Sequence, residues 1–72
     1  MAMLPKSLEA LVQLGANIEI TAEARYLPDT IEKILHIAKR HGSHVTIEAG
    51  TYLPDTLQSF VRIAQGNITI KV

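Results

Sequence analysis

Apolar residues recur along this chain in two alternating rhythms. Leu8, Leu11, Val12 and Gly15 stand at i, i+3, i+4 and i+7, as do Ile31, Ile34, Leu35 and Ala38, and then Leu57, Phe60, Val61 and Ala64. That spacing gathers each set onto one stripe of a helix. Leu14, Ile37 and Ile63 fall at i+6 and widen the stripe. The last stripe position is always small (Gly15, Ala38, Ala64), which predicts a close approach of each helix end to a neighbouring element. After each stripe the rhythm changes to strict alternation, in Ile18-Glu19-Ile20-Thr21-Ala22, Val45-Thr46-Ile47-Glu48-Ala49 and Ile68-Thr69-Ile70-Lys71-Val72. Alternation is the signature of a strand with one face buried.

The two rhythms form a unit written three times. Leu4-Pro5-Lys6-Ser7-Leu8-Glu9 returns as Leu27-Pro28-Asp29-Thr30-Ile31-Glu32 and as Leu53-Pro54-Asp55-Thr56-Leu57-Gln58, the starts 23 and 26 residues apart. The chain thus reads as one domain, 1–72, of three helix–strand repeats, 4–22, 27–49 and 53–72. Proline suits a first helical turn, where its missing N–H has no intrahelical partner. Asp29 and Asp55 lie near the positive end of the helix dipole, and Asp29 with Glu32 also fits a capping box. Gly15, Gly42 and Gly66 mark the stops.

Helical links between successive strands dictate parallel pairing with right-handed crossovers. Strands covered on both faces would be apolar throughout. These alternate, so all three helices are expected on one face of a three-stranded parallel sheet, in an α/β fold of tandem repeats. Ile18, Ile20, Ala22, Val45, Ile47, Ala49, Ile68, Ile70 and Val72 are expected to face the helices. The open face is expected to carry Glu19, Thr21, Thr46, Glu48, Thr69 and Lys71, with Thr21, Glu48 and Lys71 in one cross-strand row. Glu48 and Lys71 would form an exposed ion pair worth about 0.2–1 kcal/mol.

A period of one helix and one strand with a polar sheet face is similar in architecture to the leucine-rich repeats. Leu11-Val12-Gln13-Leu14-Gly15-Ala16-Asn17 resembles part of their motif, L-x-x-L-x-x-N. Here the leucines fall on a helix and Asn17 precedes the strand, so the similarity is one of architecture.

At 72 residues with no cysteine, the chain has a small core and no disulfide to reinforce it. Domains below about 70–80 residues often make up the deficit by association. Lys plus Arg and Asp plus Glu are both 7, giving a net charge near zero, which speaks against general binding to nucleic acid or anionic membranes. No apolar run has transmembrane length, and the start has no basic segment followed by an apolar one, so the expectation is a cytoplasmic protein. Repeat stacks normally end in polar caps. None is visible here, and the last strand runs to Val72 with only Lys71 as a charged guard. Open strand edges are pairing templates. The expected partner is therefore a second copy of the chain, in a dimer or a ring. Missing caps also fit a segment of a longer repeat array.

Candidate chemistry is sparse. The box Tyr-Leu-Pro-Asp-Thr occurs at 26–30 and 52–56, between a strand end and a helix start, where ligands bind in open α/β sheets. Either it is structural, with a Pro start, an Asp on the helix dipole and a Tyr over the loop, or it builds a binding edge from Arg25, Tyr26, Asp29, Tyr52 and Asp55. His36, His41 and His44 cluster in sequence, and His41 and His44 flank a Gly-Ser turn, but no third ligand stands at a recognisable metal spacing. Glu19 and Glu48 are diagonal neighbours on an open, wet face with no pocket to exclude water. Ser7, Ser43 and Ser59 lack any nucleophile-elbow pattern, and there is no glycine-rich phosphate loop. Lys39-Arg40-His41 suits a helix C-terminus. No cofactor and no catalysis are expected. The leading expectation is a self-associating interaction or scaffold module. The alternative is a small-ligand or metal-ion binder with its site at the strand C-terminal edge or a subunit interface.

Overall fold

A computed structural model describes residues 4–50 and 52–72. Met3, which replaces tyrosine in the first copy of the box, and Thr51, in the loop after the second strand, lie outside the described residues. Helices α1 (Pro5–Gln13), α2 (Pro28–His41) and α3 (Pro54–Ile63) alternate with strands β1 (Ile18–Ile20), β2 (Val45–Glu48) and β3 (Ile68–Lys71). The strands pair in parallel in chain order, with Ile18 beside Val45 and Val45 beside Ile68. The fold is the α/β arrangement that the two rhythms dictate.

All three helices start alike. Leu4, Leu27 and Leu53 occupy the N-cap position in extended backbone with no side-chain cap, and proline opens the first turn. Asp29 and Asp55 lie within the first turn, so the capping-box alternative for Asp29 is not used. Just past the helix ends, Gly15, Gly42 and Gly66 take positive φ. After α1 and α2 the reversal is closed by bonds from Ala16 N–H to the Leu11 carbonyl and from Ser43 N–H to the Ala38 carbonyl. These six-to-one bonds satisfy carbonyls that a helix end leaves free.

The core is one cluster in which the helix stripes meet the inner face of the sheet, with Val12, Ile31, Ile34, Leu35, Val45, Ile47 and Phe60 fully buried. One polar residue joins it. Ser43, fully buried, donates from Oγ to the Val12 carbonyl at 2.7 Å and ties the α2–β2 turn to the end of α1. Around it Asn17 Oδ1 accepts from His44 N–H at 3.0 Å, and Asn67 Nδ2 donates to the Ser43 carbonyl at 3.0 Å. Lys39 Nζ donates to the Gln65 carbonyl at 2.7 Å, so this lysine serves the turn beyond the neighbouring helix α3.

Several expectations are corrected. The strands are shorter than the alternation. Beyond β1 the chain turns into a 3-10 helix, Ala22–Ala24, so Ala22 is exposed and Thr21 leaves the cross-strand row. Glu48 does sit beside Lys71, yet its Oε1 accepts from Ala22 N–H at 2.7 Å. Lys71 instead reaches across β2 to Glu19, at 3.2 Å. Val72 lies past the end of β3 and is exposed. Leu14 does not widen the buried stripe; it is 85% exposed. Gly15 is exposed with open space around it, so close approach explains Ala38 and Ala64 but not Gly15, whose φ of +88° is reason enough for glycine.

Two substitutions at structurally defined positions should move stability in opposite directions. Ile34→Val removes a methylene from the sealed core and is expected to cost about 0.5–1.5 kcal/mol. Leu27→Ser supplies the missing cap at an exposed position and is expected to gain about 0.5–1 kcal/mol. Urea denaturation of both variants beside the parent chain checks the pair.

Candidate functional site

The C-terminal edge of the sheet brings two loops together. After β1 the 3-10 turn leads into Arg25, the one non-glycine residue with positive φ (+54°) among the described residues. After β2, Gly50 turns with φ +53° against that same 3-10 turn. A Cβ on Gly50 would lie 2.9 Å from Ala22 Cβ, so only glycine allows the approach. The Tyr52 hydroxyl donates to the Tyr26 carbonyl at 2.5 Å, and its ring meets Phe60 edge to face with centroids 5.4 Å apart. Both tyrosines pack against the core. Burial raises the Tyr52 phenol above its usual pKa, since ionisation would place charge in a poorly hydrated site.

These loops enclose a half-open cavity of about 670 Å³, lined by Arg25, Tyr26 and Tyr52 with Glu23 and Gly50. Three of the five residues named for a binding edge therefore converge. Asp29 and Asp55 do not: they are exposed on the first turns of α2 and α3, outside the cavity lining. Arg25 makes no hydrogen bond or ion pair among the described residues. Left-handed backbone at a residue other than glycine costs roughly 1–2 kcal/mol. Glu23 and Gly50 carry no motif, and their place in the lining follows only from the 3-10 turn that the alternating pattern concealed.

The open sheet face holds Glu19, Thr46, Glu48, Thr69 and Lys71, without Thr21. Its polar groups are mutually engaged: Lys71 with Glu19, Glu48 with Ala22 N–H, and His44 Nε2 with Thr69 Oγ1 at 2.7 Å. His44 is thus committed to β3, while His41 is exposed at the end of α2. Among the described residues no group of three or more His, Cys, Asp or Glu side chains is placed to hold a metal ion, and no helix is long and apolar enough to cross a membrane.

A second concavity, on the outer flank of α3, was not foreseen. Leu57, Gln58, Val61 and Arg62 line a shallow groove of about 370 Å³. The signal for it lay in the repeat alignment, because Leu57 and Val61 stand where Ile31 and Leu35 stand in the second copy.

No protein-family model, curated protein or solved structure matches this chain.

Tyr52→Phe is expected to cost about 1 kcal/mol at neutral pH, the net worth of one hydrogen bond. The bond needs the protonated phenol, whose folded pKa is raised. The stabilisation is therefore whole below the unfolded value of about 10 and is lost as pH rises through the folded value. The gap between parent and variant in urea midpoint should hold from pH 7 to 9 and close above pH 10.

Proposed function

We propose that this chain is a self-associating α/β repeat module that works by presenting surfaces to copies of itself and to other proteins, and not by catalysis. The observation that carries the proposal is the pattern of burial along the repeats. Residues that one repeat seals under the next are left uncovered on α3 among the described residues. Val61 on α3 is 41% exposed, whereas Leu35 at the same place on α2 is fully buried. β1 and β3 are both edge strands. Net charge near zero adds no repulsion to oppose contact between copies. Binding rather than acid–base chemistry is supported by the carboxylates of the sheet face, since Glu19 and Glu48 are spent on Lys71 and on the 3-10 turn.

Light scattering coupled to size exclusion, over a hundredfold range of concentration, tests this directly. The expected result is a mass above that of one chain which grows or saturates with concentration, with a melting temperature that rises in parallel. A single-chain mass at every concentration would overturn it.

The cavity at Arg25 favours one further activity, the binding of a small organic anion. A guanidinium unpaired among the described residues, beside two tyrosines, offers a charge-assisted fork to a carboxylate or phosphate on an aromatic wall. Arg25→Gly separates this from a structural role. Relief of the left-handed backbone is expected to raise stability by up to about 1 kcal/mol. The same change should abolish any rise in melting temperature that millimolar phosphate or an aromatic carboxylate gives the parent chain. An equal ligand response in both proteins would rule the site out.

A further inference from the structure

The three repeats record, position by position, what covers each flank of each helix. On the flank that faces the following helix, Leu8 and Val12 of α1 are buried, and so are Ile31 and Leu35 of α2. Their equivalents on α3, Leu57 and Val61, line the open groove with Gln58 and Arg62. On the flank that faces the preceding helix, Ile34 and Phe60 are fully buried, and Ile37 and Ile63 pack against the core. Their equivalents on α1 are Leu11, half-buried, and Leu14, 85% exposed. The Glu9–Lys33 ion pair, at 3.8 Å, fixes which flank of α1 meets which flank of α2. The described residues therefore present two different apolar flanks, one on α3 that no following helix covers and one on α1 that no preceding helix covers.

We infer that copies of this chain dock head to tail, with the α1 flank carrying Leu11 and Leu14 seated in the α3 groove of the next copy. The contact continues the α1–α2 and α2–α3 interfaces by one more step of the same repeat. The groove is formed by Leu57 and Val61, the positions which in α2 receive the flank of α3. The incoming surface, Ser7, Ala10, Leu11 and Leu14, carries no charge, and two large aliphatic side chains lead it. The sheet continues by the same step. With Ile18 beside Val45 and Val45 beside Ile68, one more step puts Ile68 beside Ile18 of a second copy. Lys71 then lies diagonal to Glu19 of that copy, opposite charges on adjacent strands, and the free edge of β3 gains hydrogen-bond partners. Such a contact is heterologous: each copy offers two unlike surfaces, and assembly continues until the repeat rotation closes a ring.

This inference rests on the self-association proposed above, and a mixing experiment separates the two. Leu14→Lys spoils the α1 flank and leaves the α3 groove intact; Val61→Lys does the reverse. Both positions are exposed and near helix C-terminal ends, where lysine is compatible with the helix dipole. Circular dichroism and melting at low concentration confirm the fold of each variant. Sedimentation velocity should then show the parent assembled. Each variant alone should stay a single chain to at least about tenfold higher concentration, because assembly would bury an unpaired ammonium. The equimolar mixture should form a 1:1 dimer and stop there, since one intact groove meets one intact flank and both outer surfaces are spoiled. A mixture that stays monomeric while the parent assembles would overturn head-to-tail docking and leave self-association standing. So would a variant that still assembles as the parent does, which would point to like-to-like contact. A monomeric parent would overturn both.

Discussion

No helix–strand unit of this protein can cover its own apolar stripe. The stripe on each helix is wider than one strand of three or four residues can shield, and the helices lie side by side on a single face of the sheet. Burial is completed laterally, by the flank of the next helix. Val12 and Leu35 are sealed in this way; Val61, with no helix against that flank of α3 among the described residues, is not. The same constraint accounts for the strict alternation in the strands, for chain-order pairing, and for core residues of the second repeat being the most completely buried.

The two edges of the sheet are finished differently. Along the N-terminal edge, polar groups stitch one repeat to the next: Asn17 to His44, Ser43 to Val12, and Asn67 to Ser43. Each bond crosses between repeats, so backbone groups exposed by the helix–strand turns are satisfied by a neighbour and not by their own unit. A buried hydroxyl is tolerable there because its hydrogen bond is made. Along the C-terminal edge the loops are held by the Glu48–Ala22 and Tyr52–Tyr26 bonds and by close packing of Gly50 on Ala22. This is where the chain keeps a left-handed arginine beside a cavity.

Most of the architecture was legible because two periods, 3.6 and 2, report directly on which face is buried. What escaped them were departures from periodicity. Ala22 continues the alternation on paper, but nothing in a pattern of apolar positions encodes the turn that Glu48 caps. Leu14 fits the helix stripe, yet it is exposed, since no helix among the described residues lies against that flank of α1, a fact about neighbours and not about its own segment. Ser43 stands in sequence as part of a Gly-Ser turn between two histidines, and its burial depends on the position of a carbonyl thirty-one residues earlier. At the candidate site Arg25, Tyr26 and Tyr52 were found from their place between strand end and helix start. Asp29 and Asp55 shared that motif but serve the first turns of their helices instead.

In a repeat stack, stability is approximately a sum of terms internal to each unit and terms between neighbours. Three units provide two interfaces, and each added copy contributes one more of the same kind while ordering little new chain. Association through the helix flanks, as proposed above, would be a continuation of folding. It would also leave the chemistry of the C-terminal edge untouched. The docking proposed above would use the flanks of α1 and α3 and the free edges of β1 and β3. The Arg25 cavity lies between the loops that precede α2 and α3, and none of the residues lining it belongs to those flanks. Copies joined head to tail would repeat the cavity along one rim of the assembly, once per chain. A weak affinity for a small anion at one copy then becomes a multivalent surface toward a ligand that presents several.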